Sequence, residues 1–203
     1  MTLVTFAVPF ESAAFRRRAA SRAVRIVHTG VGLDAARVAL EQAICEELPE
    51  RVISSGFAGG LAPELGVGEI VCDAEGAAWR RVRFASAHDV LATAAAKREF
   101  RERTGAGAVD METDAIREVC AAAGVPVTVL RAISDGAEDD LGLPPELLAA
   151  LSGGALRAAP RVAWMLLSDG ARRRAFLRLV RNCRTAQLAL ADALERELSQ
   201  CGN

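Results

Sequence analysis

The stretch AVDMETDAIREVCAAAGVPVTVLRAISDG, Ala108 to Gly136, decides the fold of this chain. Val109 to Glu112 closes one short strand. Ile116, Val119, Cys120 and Ala123 then recur at helical spacing, and Gly124 and Pro126 stop that helix before a second apolar run, Val127 to Ile133. The order strand, helix, strand reads as two parallel strands with their carboxyl ends on one edge of a sheet, so Glu112 and Asp135 are expected to face one crevice. Taken singly, Glu112 suits the positive end of a helix and Asp135 suits a turn. Arg131 breaks the balance: one cation in an otherwise apolar strand needs an anion or a polar ligand to meet.

Upstream, Leu3 to Val8 has the continuous apolar character of a central strand and hands over at Glu11 to a helix expected over Ser12 to Arg22. Val24 to His28 is a second strand. It runs into Thr29-Gly30-Val31-Gly32 and a helix over Ala35 to Glu47, an order that suits either a turn hugging a sugar or phosphate or a purely structural turn. Arg51 to Ser55 is a third strand. The glycine-rich run that follows, through Gly56, Phe57, Ala58, Gly59 and Gly60, describes backbone passing close to a ligand or to another segment. Gly68 to Cys72 and Arg81 to Ala85 are further strands, and His88 and Asp89 precede a helix from Leu91 to about Arg103.

Downstream, AEDDLGLPPE is an acidic, proline-bearing loop suited to a lid over the crevice or to plain solvation. The rest reads as helix: Glu146 to Leu151, Val162 to Leu167, and a long amphipathic helix from Arg172 to about Leu198, expected to pack on the sheet. Trp164 to Leu167 beside Arg172 to Arg174 also makes residues 161–183 an apolar and basic segment suited to peripheral membrane contact.

The 203 residues, 51% of them apolar, are expected to form one domain over residues 1–203, with no run of the ~20 apolar residues that span a bilayer. LVTFAV does not read as a signal peptide, and the expected location is cytoplasmic. Five cysteines without CxxC spacing are expected to be reduced. A net charge of -1, 4% aromatic content and no tyrosine argue against a nucleic-acid partner, although arginines cluster at Arg16 to Arg18, Arg80 to Arg83 and Arg172 to Arg174. Of the 25 basic residues only Lys97 is a lysine. His28 and His88 have no partner at metal-ligand spacing, so no metal is expected.

Together, GFAGGLAPELGVGEIV, VDMETDAIREVC and VTVLRAISDGA resemble the nucleoside phosphorylase and nucleosidase superfamily, especially its methylthioadenosine/S-adenosylhomocysteine nucleosidases, and the tail with LRAAPR resembles hopanoid-associated phosphorylases. The resemblance implies a three-layer α/β/α sandwich with a mixed central sheet, usually a homodimer or larger oligomer. It also implies cleavage of the N-glycosidic bond of a small purine nucleoside through a cationic ribosyl transition state, with no cofactor beyond phosphate in a phosphorylase. Carried over by motif, Asp135, beside Ser134, protonates or hydrogen-bonds the purine at N7 and needs surroundings that keep it able to donate. Glu112 accepts the ribose hydroxyls, with Met111 against the sugar and Asp110 adjacent, and Glu11 orients and activates water. Arg131 lies near the acids, Phe57, Ala58 and Gly59 form the glycine loop, and His88, Asp89 and Val90 flank the base.

Two departures from the family pattern matter. Phe57 stands where the glycine loop commonly offers a hydroxyl that helps to hold phosphate, which favours water as the nucleophile. The link from Val71 to Asp89 is shortened where the nucleosidases wall the 5′ pocket, which implies an open pocket and a 5′ group larger than methylthio, such as the lipid of adenosylhopane. The expected function is therefore a nucleosidase that releases adenine from a 5′-modified adenosine. A phosphate-dependent phosphorylase is the rival enzyme, and a non-catalytic nucleoside-binding protein is the rival from another class.

Overall fold

The computed structural model describes residues 1–18, 24–75, 78–144 and 169–200. Eight strands form one mixed sheet: β1 (Thr2–Phe6), β2 (Val24–His28), β3 (Arg51–Gly60), β4 (Ile70–Cys72), β5 (Arg80–Arg81), β6 (Phe84–Ser86), β7 (Ala108–Asp110) and β8 (Val127–Asp135). The helices are α1 (Pro9–Arg18), α2 (Leu33–Glu46), α3 (Ala94–Thr104), α4 (Thr113–Ala123) and α5 (Gly170–Gln200). The order across the sheet is β2-β1-β3-β8-β4-β5, with β7 pairing β3 and β6 pairing β7.

Alternation along the central strands sends successive side chains to opposite faces, and each face is covered by helices. Leu3 and Val52 pack with Ala36 and Leu40 of α2 and with Ile116 and Val119 of α4. Their neighbours Val4 and Ile53 pack with Phe15 of α1 and with Leu190 and Leu194 of α5. This is the expected three-layer α/β/α arrangement. The expected helices over 146–151 and 162–167 lie outside the described residues.

Glu112 and Asp135 are not brought together by a shared parallel edge, the expectation from the strand, helix, strand order, because β7 and β8 are not parallel neighbours. β8 runs parallel to β3 along one edge, whereas β7 runs antiparallel to β3 through Gly59↔Val109 and Gly60↔Ala108. β1 occupies the same edge of β3 as β7 but stops at Thr5↔Ser54. The carboxyl ends of β1 and β7 therefore approach each other head to head over β3. This antiparallel reversal, not a shared parallel edge, sets Glu112 opposite Glu11.

β3 is also longer than Arg51 to Ser55. It runs on through the glycine-rich segment to Gly60, with a register shift between Ala58 and Gly59. At Gly59 the chain is squeezed from both sides: a Cβ there would lie 3.2 Å from Val109 Cγ1 and 3.3 Å from Asp135 Oδ2. The glycine is needed where two strands and an acid converge. α4 ends as its sequence predicts, with Gly124 left-handed at φ 68°.

Candidate functional site

The three acids line one cavity of about 420 Å³ at the carboxyl ends of β1, β7 and β8. Each is brought there by a different local device.

Glu11 stands in the first turn of α1, and its carboxylate ties three segments together. Oε2 accepts from Ala7 N at 2.9 Å and Val8 N at 3.2 Å, while Oε1 accepts from Phe57 N at 2.9 Å. It is therefore more than a helix-dipole acid. Gly56 makes room for it, since a Cβ there would come 3.0 Å from Oε1. Burial raises the Glu11 pKa above the ordinary carboxylate value, against the pull of these three amide donors and of Arg131. Three of roughly four lone-pair sites are used, which leaves one for a water or a hydroxyl.

Glu112 is the residue just before α4, yet its side chain does not cap that helix. Asp110 supplies the cap instead, accepting from Thr113 N at 3.2 Å. The Glu112 carboxylate turns to the glycine turn after β2, where Gly32 N donates to Oε1 at 2.8 Å, and Met111 N donates to Oε2 at 3.3 Å. The Thr29 to Gly32 turn thus holds an acid of its own chain. Burial first, then the charge of Asp110, pushes the Glu112 pKa up to about 7.

Asp135 closes β8 within an ion pair. Lys97 Nζ lies 2.5 Å from its Oδ2, and Ser134 Oγ donates to Oδ1 at 2.7 Å. Asp135 thus sits between a buried cation and a hydroxyl.

Arg131 lies near the acids and meets an anion, but it is buried and does not line the cavity. Its guanidinium donates from Nε and Nη2 to Asp110 Oδ2 at 2.9 and 2.6 Å, to Ser54 O at 2.6 Å, and to the hydroxyls of Ser54 and Thr113, each at 3.0 Å. Asp110 borders the cavity, but its carboxylate also accepts from Ser86 Oγ at 2.8 Å and from Thr113 Oγ1. Burial alone would raise the Asp110 pKa, and Arg131 with these hydroxyls holds it below the usual value. The pair is satisfied internally and braces β7 against β3 and β8.

Met111, Phe57, Ala58, Gly59, Asp89, Val90 and Ser134 line the cavity. His88 does not: it is exposed, and its side chain is outside the lining. His28 approaches Ser12 Oγ at 2.8 Å through Nε2, as a satisfied structural group.

Two contributions escaped the sequence reading. Lys97, on α3, lies at the cavity and is 1% exposed. Its singularity as the lone lysine was the available signal. The other is the wall given by α5, where Phe176, Leu179, Val180 and Cys183 join Phe10 and Leu141 in the lining. Burial pushes the Cys183 thiol up to about 11, with the charges of Asp135 and Glu11 adding to it. Among the described residues no group of His, Cys, Asp and Glu is placed to hold a metal, and no helix is long and apolar enough to cross a membrane.

A doubly covered mixed sheet with three carboxylates at the meeting of its strand ends defines a class, and family comparison gives that class its name. The family model of the phosphorylase superfamily matches residues 7–75 and 72–159, and the chain belongs to that superfamily. No curated protein sequence matches it. Among solved structures, it is similar to native futalosine hydrolase of Helicobacter pylori, with a TM-score of 0.72 at 13% identity over 98% of this chain and 97% of that one. Arabidopsis thaliana 5′-methylthioadenosine nucleosidase in apo form gives a TM-score of 0.71 at 12% identity over 100% and 96%. A mutant nucleosidase of Helicobacter pylori with 5′-methylthioadenosine in its active site gives 0.72 at 14% identity over 98% of each chain. Such low identities establish a shared fold.

Proposed function

We propose that this protein is a purine nucleosidase that hydrolyses the N-glycosidic bond of an adenosine carrying an apolar 5′ substituent. The observation that carries this reading is the convergence of Glu11, Glu112 and Asp135 on one cavity that is polar where these acids sit and apolar where Phe10, Phe176, Leu179 and Val180 line it. Glu112 accepts the ribose hydroxyls, and its negative charge favours the ribosyl cation as the bond breaks. Glu11, pinned by three amides, uses its remaining lone pair to orient a water and draws a proton from it as the water attacks. Asp135 delivers a proton to the departing base.

Water is favoured over phosphate by the composition of the wall. Among the described residues the cavity lining contains no arginine, and its one lysine is engaged by Asp135. Arg131, buried beside the acids, is occupied by Asp110 and Ser54. The apolar side chains of the lining support a 5′ group that is apolar, from alkylthio to lipid-linked as in adenosylhopane, and the proposed assembly is a homodimer. A screen of adenosines with hydroxyl, methylthio and long-chain apolar 5′ groups, read as free adenine with and without phosphate, tests the reading. Preference for the unsubstituted nucleoside would refute the substrate class, and strict phosphate dependence would make the enzyme a phosphorylase.

A further inference from the structure

Lys97 is the only lysine among the 25 basic residues of the chain. Every other cationic side chain of the protein is an arginine, including the buried cation Arg131. A position that needed only a buried positive charge could have taken arginine here as well, since arginine is the less strongly hydrated cation and tolerates burial better. What lysine offers in addition is a proton that it can release, which arginine does not.

The geometry around Lys97 is built for that proton. Its side chain is 1% exposed, and Nζ meets three oxygens: Asp135 Oδ2 at 2.5 Å, Gly136 O at 2.7 Å and Asp139 O at 3.1 Å. Three N–H donors face three acceptors, so the ammonium is fully satisfied and fixed in direction. Thr93 caps α3 by accepting from Ala96 N at 3.2 Å, and this sets the first turn from which Lys97 projects. Gly136 and Asp139 belong to the turn after β8, where Gly136 N donates to Asp139 Oδ2 at 2.8 Å. Lys97 thus clamps that turn and the acid that precedes it in a single arrangement.

We propose that Lys97 is a positioning residue that supplies, through Asp135, the proton taken by the leaving base; this rests on the nucleosidase reading. As the C1′–N9 bond breaks, its electron pair passes into the purine. Lys97 Nζ gives a proton to Oδ2 of the Asp135 carboxylate, which passes a proton on to a ring nitrogen of the purine and ends ionised as it began. Lys97 is left as a neutral amine and regains its proton from solvent after the base departs. The proton that Glu11 removes from water goes to bulk in the same cycle, so charge and protons balance without any added reactant.

The test compares two leaving groups on the same 5′-substituted ribose: adenine, which needs a proton to leave, and 4-nitrophenolate, which does not. Lys97→Met removes the ammonium. Lys97→Arg keeps a cation that still donates to Asp135 but does not release a proton, so it separates proton supply from charge and folding. Both variants are expected to lose ~100-fold or more in kcat for adenine release while staying within about tenfold of wild type on the nitrophenyl riboside. Wild-type adenine release by Lys97→Arg would overturn the proposal. So would an equal loss on both leaving groups in both variants, which is the mark of a purely structural lysine. If instead the wild-type protein releases adenine only with phosphate, or not at all, the nucleosidase reading fails and not the assignment of Lys97 within it.

Discussion

Glu112→Gln is expected to stabilise the ligand-free protein at high pH and to leave its stability at low pH nearly unchanged by comparison. In the folded state the Glu112 pKa is raised from 4.5 to about 7, chiefly by burial. A carboxyl with a raised pKa binds its proton more tightly when folded than when unfolded. Its contribution is therefore most favourable below about pH 4.5, falls as the pH rises from 4.5 to 7, and stays at its least favourable above that. The difference between the two pKa values corresponds to roughly 3 kcal/mol between the two plateaus.

Glutamine has no charge to lose, so that part of the pH dependence disappears in the variant. Its amide oxygen still accepts from Gly32 N, whereas the amide nitrogen loses the bond from Met111 N. That cost is the same at both pH values and cancels when the pH-induced changes in wild type and variant are subtracted. The assay is urea unfolding of both proteins at pH 4.5 and pH 8.5. The expected double difference is roughly 2 to 4 kcal/mol, with the variant gaining relative stability at the higher pH. A double difference near zero, or one of opposite sign, would refute the burial argument for this acid.

Arg131→Met should cost about 3 to 5 kcal/mol in urea unfolding, because Asp110 is left charged and unpaired beneath the site, and adding Asp110→Asn should recover much of the loss. Glu11→Gln should lower adenine release by ~100-fold or more with little change in KM, as measured by steady-state kinetics across substrate concentrations. Gly56→Ala places a methyl against Glu11 Oε1, which a bare Cβ would meet at 3.0 Å, and should reduce kcat more than it reduces stability. Alkylation at pH 7.5 should mark the exposed Cys45 well before Cys183, whose thiol is pushed up to about 11; mass spectrometry of timed digests checks the order.

The layers of the fold were legible because the strands and helices carry plain periodicities. Leu3 and Val4 alternate between faces, and Ile116, Val119 and Cys120 recur along one side of α4. The acids were legible because each falls at the carboxyl end of an apolar run. The direction of β7 was not, since three residues, Ala108 to Asp110, carry no signal of parallel or antiparallel pairing. That choice is made by the edge of β3 left free where β1 stops. Arg131 was recognised as a cation needing an anion, but the sequence does not show that Asp110, two residues before Glu112, would consume it. The apolar wall from α5 depends on how a helix far along the chain packs over the strand ends, and local pattern does not reveal that.

The most direct test of the central claim is adenine release from a 5′-alkylthio adenosine in phosphate-free buffer, followed for wild type, Glu11→Gln and Asp135→Asn. The account predicts full turnover by wild type without phosphate and losses of ~100-fold or more in each variant. Turnover that appears only on adding phosphate, or variants that match wild type, would contradict it.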